Sequence, residues 1–178
     1  MLCNFTINET RLIWYLQYAL PMETISRQYQ LVKEAREVLF QFFESIEPKD
    51  YATPVENFGR GSIRNTQTHI ADAYIHWIGN FALQRAKPYI DINSIDTLAK
   101  MRDEYNKIDL LMEEFIVTYG QAIDKPIINP LGKQREFSST PLVLFSHMIT
   151  HEFHHKGQMV SMARILGYEP PDTDLIRS

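Results

Sequence analysis

Cysteine, glycine and proline are scarce in this chain of 178 residues. The single cysteine, Cys3, excludes a disulfide framework and a thiolate zinc site of the zinc-finger type. Seven glycines and nine prolines are too few for a β-sandwich with a turn after every strand. Hydrophobic residues make up 44% of the chain and supply enough material for a core, so an intrinsically disordered protein is excluded as well.

The chain also lacks a surplus of positive charge and a long apolar run. It has 18 basic and 22 acidic residues and a net charge of −4, whereas nucleic-acid binding needs clusters of lysine and arginine. An apolar stretch at residues 12–20 is interrupted by Gln17 and is shorter than the roughly 20 residues of a membrane span. We therefore predict a cytoplasmic protein with neither a nucleic acid nor a membrane as its partner.

The length corresponds to one ordinary domain, and no internal repeat or low-complexity tract divides the chain. Met22, directly after Pro21, is a candidate for an alternative start of the chain. We therefore predict that residues 1–21 form an accessory N-terminal segment and that residues 22–178 form a single domain.

Four segments repeat apolar residues at steps of three and four, which is the spacing of an amphipathic helix. Capping residues, prolines and glycines predict that these helices cover about residues 22–46, 62–86, 94–119 and 139–166. Ser62 is the predicted N-cap of the second helix, Ser139 or Thr140 that of the fourth, and Gly167 is the predicted left-handed cap at its end. Long connections follow the first and third helices, and the second of them leaves room for a short hairpin. Four long amphipathic helices in one domain predict an all-α four-helix bundle.

Four of the six histidines fall within nine residues of the fourth predicted helix. His151 and His155 are four residues apart, so their side chains lie on one face of that helix, one turn apart. Two imidazoles at this spacing can bind one metal ion, and a third ligand from a facing helix would leave a coordination position open. His69 and His76 are seven residues apart on the second helix, about 10 Å along its axis, so only one of them can complete the site.

Other interpretations of these histidines fit less well. Taken singly, His76, His147 and His154 are more consistent with ordinary core or surface positions than with metal binding. The fourth helix also contains H-E-x-x-H, the zinc-protease motif, in which Glu152 would be the general base. Only 23 residues follow His155 and none is a histidine, so the third protease ligand is missing. A ferritin-like di-iron site needs two E-x-x-H motifs, and the sequence has one.

Two segments resemble the DinB/YfiT-like family of damage-inducible, metal-dependent proteins, namely residues 61–77 (GSIRNTQTHIADAYIHW) and residues 150–158 (THEFHHKGQ). The likeness extends over about residues 22–175. It implies an antiparallel four-helix bundle with one divalent ion bound by His69, His151 and His155. Lys156 stands where relatives often carry arginine, at a position that we expect to be exposed.

The resemblance also implies a class of chemistry. A three-histidine site with an open position can lower the pKa of a bound water, polarise a carbonyl or bind a thiol as the thiolate. We therefore expect a metal-dependent hydrolase, or a transferase that uses a low-molecular-weight thiol, acting on a small molecule. Zinc and nickel are the first candidates for the ion, with iron and manganese as alternatives, because imidazole suits several metals.

No catalytic side chain is identified by the sequence, although Glu152 is a candidate. Asp72, Glu152 and Gln158 are candidates for hydrogen bonds that orient the metal-binding imidazoles. The alternative function is a non-catalytic, metal-binding stress-response module. For either function we expect a homodimer formed by packing of helix faces.

Overall fold

The computed structural model describes residues 20–130 and 136–177, together with Arg11 and Ile13. Most of the predicted accessory segment, residues 1–21, lies outside the described residues. Most of the described chain belongs to four long helices, which are α1 (Leu20–Glu44), α3 (Ile63–Tyr74, continued as a π-helix over Ile75–Ala82), α4 (Leu98–Tyr119) and α5 (Pro141–Ile165). Within the described part of the chain, no helix is both long enough and apolar enough to span a membrane.

Side-chain caps define where the long helices begin. The Ser62 hydroxyl accepts a hydrogen bond from the backbone N–H of Asn65 at 3.1 Å, as the sequence predicted for the start of α3. Thr140 caps α5 in the same way, and Pro141 occupies its first turn. The sequence placed the start of α4 at Ser94 or Asp96, whereas Thr97 is the cap and the helix begins at Leu98.

Two of the four long helices, α1 and α5, run in one direction along the bundle, and the other two, α3 and α4, run in the opposite direction. Tyr29 reaches Asp109 and Phe40 packs on Tyr105, so α1 and α4 are antiparallel. By contrast, α3 and α4 are parallel, because the Tyr105 hydroxyl donates to Gln67 near the start of α3 while the Tyr119 hydroxyl donates to the Ala82 carbonyl at its end. The helices α3 and α5 are antiparallel, because His69 contacts His151 while Trp77, later in α3, contacts His147, earlier in α5. The predicted all-α four-helix bundle is confirmed.

The parallel arrangement of α3 and α4 requires the intervening chain to return along the bundle. Residues 83–97 do so beside α3, where Asn80 binds the backbone N–H of Lys87 and Asp72 binds that of Ile90. The predicted helix to about residue 86 was too long. It ends at Ala82 in π-helical form, and this return segment takes up the residues that follow.

The connections contain short elements of their own. A one-turn helix, α2 (Pro48–Ala52), interrupts the first loop, which the sequence analysis left without structure. The loop after α4 contains the antiparallel strands β1 (Ile127–Pro130) and β2 (Glu136–Ser139), so the hairpin that the sequence left open is present. The hairpin packs beside the π-helical end of α3, where Phe137 contacts Phe81.

The core lies between the four long helices and is rich in aromatic, isoleucine and methionine side chains. The largest side chains with almost no exposed surface are Tyr74, Phe81, Phe115, Phe145, Ile63, Ile70, Ile78, Met101, Ile108, Met112, Met148 and Met159. This set comes from α3, α4 and α5, and α1 joins the same cluster through buried residues such as Tyr29, Leu39 and Phe40. The relative positions of the four long helices are therefore determined by one continuous core.

Two glycines, Gly120 at the C-cap of α4 and Gly157 inside α5, test how closely the end of α4 packs against α1. A Cβ at Gly120 would lie 2.8 Å from the Met22 side chain and 2.5 Å from the Ile116 carbonyl, whereas a Cβ at Gly157 in α5 would meet nothing within 4 Å. We expect Gly120→Ala to lower the free energy of unfolding by about 1–3 kcal/mol through overpacking. We expect Gly157→Ala to raise it by about 0.5–1 kcal/mol, because alanine favours the helix.

Urea denaturation followed by circular dichroism measures both changes. Equal effects of the two substitutions would show that the close approach at Gly120 does not constrain the fold.

Candidate metal centre

Three histidines from two helices meet in the groove between α3 and α5. His69 lies in the middle of α3, and His151 and His155 lie one turn apart on α5. Each imidazole offers a nitrogen, and these three nitrogens lie within 4.8 Å of one another. The ring centroids are 4.5–4.9 Å apart. The structure therefore brings His69, rather than His76, to the pair that the i, i+4 spacing predicted.

The spacing of the imidazole nitrogens fits a bound metal ion. The Nε2 atoms of His69 and His151 are 3.2 Å apart. Two imidazole nitrogens bound to one tetrahedral zinc ion are about 3.4 Å apart, because each Zn–N bond is about 2.1 Å long. The His155 nitrogen lies within 4.8 Å of the other two. The three residues can therefore hold one metal ion.

The hydrogen bonding of His151 cannot be satisfied by either neutral tautomer. The Arg60 guanidinium donates to His69 Nε2 at 3.2 Å, so that nitrogen carries a lone pair. If His151 Nε2 is unprotonated, two lone pairs face each other. If it is protonated, the buried Nδ1 of His151 becomes an acceptor, and it has no partner among the described residues. A cation bound between the rings would take up both Nε2 lone pairs, in place of Arg60 at His69, and Nδ1 of His151 would then carry the proton.

Electrostatics keep these imidazoles neutral. Burial, reinforced by Arg60 and His155, lowers the pKa of His69 to about 4. Burial and the neighbouring histidines lower the pKa of His151 to about 4 as well. Burial also lowers the pKa of His155, against the opposing effect of its hydrogen bond to Gln158. Neutral imidazole is the form that binds metal, so the lone pairs are available at neutral pH.

Gln158 orients His155 from one turn further along α5. Its Oε1 lies 2.7 Å from His155 Nδ1 and can only accept, so Nδ1 carries the proton and Nε2 carries the lone pair. Its amide nitrogen donates to His154 Nε2 at 3.2 Å. Gln158 therefore plays the orienting part that metal-bound imidazoles usually require. Asp72 does not, because its carboxylate accepts from the Ile90 backbone rather than from His69.

Glu152 points away from the histidine cluster, into the centre of the bundle. Arg36 on α1 holds both of its oxygens, Nε to Oε1 at 2.6 Å and Nη2 to Oε2 at 3.0 Å. The Tyr74 hydroxyl donates to Oε2 at 2.6 Å. Arg36 also donates to Asp109 on α4 at 2.6 Å. The carboxylate is engaged in a buried network that joins all four long helices, and it is not free to act as the base of a zinc-protease motif.

The remaining histidines lie outside the cluster, in different surroundings. His76 stacks on Tyr89 and hydrogen-bonds its hydroxyl at 2.6 Å, so it attaches the return segment to α3. His154 is exposed and contacts Gln158. His147 is exposed and its ring centroid lies 5.6 Å from that of His151.

One neighbour of the cluster, Arg60, was missed by the sequence analysis, and a second, Trp77, was a candidate for lining a substrate pocket. Arg60 comes from the loop before α3, and its only sequence signal is its place between two glycines in a long connection. Trp77, on the π-helical end of α3, packs against His147 at 5.7 Å between ring centroids. Its position eight residues after His69 is a signal for the same groove, but the sequence analysis could not separate it from an ordinary core aromatic.

A protein-family model, the DinB family, matches residues 22–178. The chain belongs to the DinB family. The match covers the whole region that the sequence analysis compared with this family, including the helices that carry the three histidines. No curated protein sequence matches the chain.

The structure corrects one expectation about the motif on α5. Lys156 was expected to be exposed, but it is 6% exposed. Its ammonium group lies 3.8 Å from the centroid of the Phe153 ring and donates to the Thr173 carbonyl of the C-terminal segment. Burial lowers the pKa of its ammonium group. A long-range contact with residues after α5 decides the burial, and helical periodicity carries no information about it.

Removing one partner of the buried Arg36–Glu152 ion pair should lower the free energy of unfolding strongly. Replacing Glu152 with Gln removes the carboxylate that binds the Arg36 guanidinium through two hydrogen bonds, and Asp109 remains as its other carboxylate partner. We therefore expect Glu152→Gln to lower the free energy of unfolding by about 3 kcal/mol. The double variant with Arg36→Met should lose less than the sum of the single variants, because the buried charge is removed as well. Chemical denaturation measures the full double-mutant cycle.

A surface pair provides the control for this cycle. Lys107 and Glu104 are 2.6 Å apart with the lysine 63% exposed, so Glu104→Gln should change stability by no more than about 0.5 kcal/mol. If the stability losses of Glu152→Gln and Arg36→Met simply add in the double variant, the two side chains are not coupled and the prediction is wrong.

Proposed function

We propose that this protein binds one divalent metal ion through His69, His151 and His155 and presents an open coordination position to a small molecule. The observation that supports the proposal is the convergence of three imidazoles from two helices, with two Nε2 atoms 3.2 Å apart and all three nitrogens within 4.8 Å of one another. Three protein ligands on a tetrahedral ion leave one position for a ligand from solution. Zinc or nickel is the first candidate, and iron and manganese are alternatives, because imidazole nitrogen suits several transition metals.

Metal binding by purified protein tests the first half of the proposal. We expect protein made without a histidine tag to contain about one equivalent of a transition metal by elemental analysis. The double variant His151→Ala, His155→Ala should lose Zn²⁺ and Ni²⁺ affinity by roughly 100-fold or more, since even residues that only orient ligands contribute 10–100-fold.

The matched control is His76→Ala, which removes a histidine of α3 that lies outside the cluster. It should keep the affinity and stoichiometry of the unmodified protein. Equal metal binding by the unmodified protein and the double variant would end the proposal.

We further propose that the protein is a metal-dependent enzyme acting on a small substrate, by hydrolysis or by group transfer to a low-molecular-weight thiol. A divalent ion at this centre would polarise a carbonyl and favour the deprotonated form of a bound thiol. The side chain of Arg60 is exposed and lies beside the cluster, where its guanidinium could bind a negatively charged group of the substrate. Its guanidinium is the one charged group in hydrogen-bond contact with His69 in the described part of the chain.

The surroundings of the cluster favour thiol transfer over hydrolysis. Among the described residues, the metal-binding group consists of histidines and includes no carboxylate. Glu152, the candidate catalytic residue, has both oxygens bound to Arg36 and Tyr74, so we leave it out of the chemistry. Hydrolysis in H-E-x-x-H enzymes relies on a glutamate base, whereas a thiol loses its proton more readily than water does.

A turnover assay separates the enzyme from a non-catalytic metal-binding module. We expect metal-loaded protein to convert some member of a panel of esters, amides and electrophiles offered with low-molecular-weight thiols. His155→Ala should abolish that turnover because it removes a ligand, while His76→Ala should retain it. A protein that holds its ion tightly, admits no exchangeable ligand and converts nothing in the panel would instead be the stress-response module.

The predicted homodimer, the cytoplasmic location and the lack of nucleic-acid and membrane partners stay predictions. Exposed apolar side chains on α4, Leu110 at 66% and Val117 at 75%, offer a helix face for a second copy. The three histidines all belong to one chain, so the proposed metal site does not depend on the dimer.

A further inference from the structure

The groove between α3 and α5 continues past the histidine cluster into an apolar pocket. The pocket has a volume of about 190 Å³. It is lined by Trp77, Phe137, Ser139, Val143, Leu144 and His147. Among the described residues, no lysine, arginine or carboxylate lines it, so its walls are suited to an apolar group.

His147 forms a wall shared by the pocket and the metal centre. Its ring centroid lies 5.7 Å from that of Trp77 on one side and 5.6 Å from that of His151 on the other. On α5, His147 and His151 are one turn apart, and Val143 is a further turn away on the same face. Because α3 is antiparallel to α5, His69 lies beside His151 and Trp77 lies beside His147. The pocket and the centre are therefore neighbouring parts of one groove.

We propose that this pocket binds the apolar part of the substrate, a single aromatic ring or a short branched alkyl group, while a polar group of the same molecule reaches the metal centre. This inference rests on the proposed function. It adds a substrate class: small molecules with a metal-binding head and one compact apolar tail.

The size and exposure of the walls support this occupant. A cavity of about 150 Å³ with apolar walls accommodates benzene, so about 190 Å³ is enough for one aromatic ring. Phe137 is 39% exposed and Val143 is 57% exposed, so apolar surface faces water at the mouth of the groove. A ring inserted between them and Trp77 removes that surface from water, which favours binding. Charged tails lose their hydration there without gaining a partner.

Hydroxamic acids test the inference without knowledge of the natural substrate. Their head binds divalent metals through two oxygens, and their tail can be varied independently. We expect isothermal titration of Zn²⁺-loaded protein to show that phenylacetohydroxamic or 3-phenylpropionohydroxamic acid binds at least about tenfold more tightly than acetohydroxamic acid. The two phenyl probes differ by one methylene, so the test does not presume the distance from the ion to the pocket.

A charge placed in the pocket should remove this preference. Val143 lines the pocket and is 57% exposed, so Val143→Glu places a carboxylate at the pocket without burying it in the core. In this variant we expect the phenyl probes to bind within about twofold of acetohydroxamic acid. The control, Leu142→Glu, adds the same charge to the same turn at a residue that is 40% exposed and does not line the pocket. It should retain the tenfold preference.

The outcomes distinguish the two proposals. If acetohydroxamic acid binds but the phenyl probes bind no more tightly, or if Val143→Glu keeps their advantage, the pocket assignment is wrong while the metal centre stands. If the protein holds no ion, or no hydroxamate binds to the loaded protein, the proposed function fails and the pocket assignment fails with it. Elemental analysis of each variant shows which case applies.

Discussion

The carboxylate of Glu152 and the guanidinium of Arg36 meet at the centre of the bundle, where both side chains are almost entirely removed from water. Two charges in such a place stabilise a fold only when every hydrogen-bonding position is satisfied. Asp109 and Tyr74 complete the set, so the network requires α1, α3, α4 and α5 at one relative rotation. A rotation of α5 by one residue would leave a buried charge without its partner.

This constraint explains how the three-histidine cluster can form on the other side of α5. With Glu152 directed at α1, residues 151 and 155 lie about 100° and 60° around the helix axis from it, both on the same side. That side faces α3, where His69 meets them. The same rotation directs His147 at Trp77, so the cluster and the apolar pocket both follow from one buried ion pair. One face of α5 therefore carries Glu152 and its charged network, and another face carries the neutral imidazoles of the cluster.

Features that depend on neighbouring residues were predictable. The caps at Ser62 and Thr140 and the left-handed Gly167 after α5 were found where the sequence placed them, because capping is a matter of a few adjacent residues. Features that depend on distant contacts were not. The return of residues 83–97 along α3, the π-helical turn and the burial of Lys156 all arise from pairings between segments far apart in the chain.

The metal centre shows the same division. The sequence by itself determined that His151 and His155 share one helical face, because the helical repeat is a local property. Family resemblance pointed to His69, but spacing alone left His76 equally eligible. Only the tertiary structure decided that His69 meets the pair, that Glu152 is held by Arg36, and that an apolar pocket continues the groove. Each of these depends on the rotation and direction of whole helices, which the packing of the entire core selects.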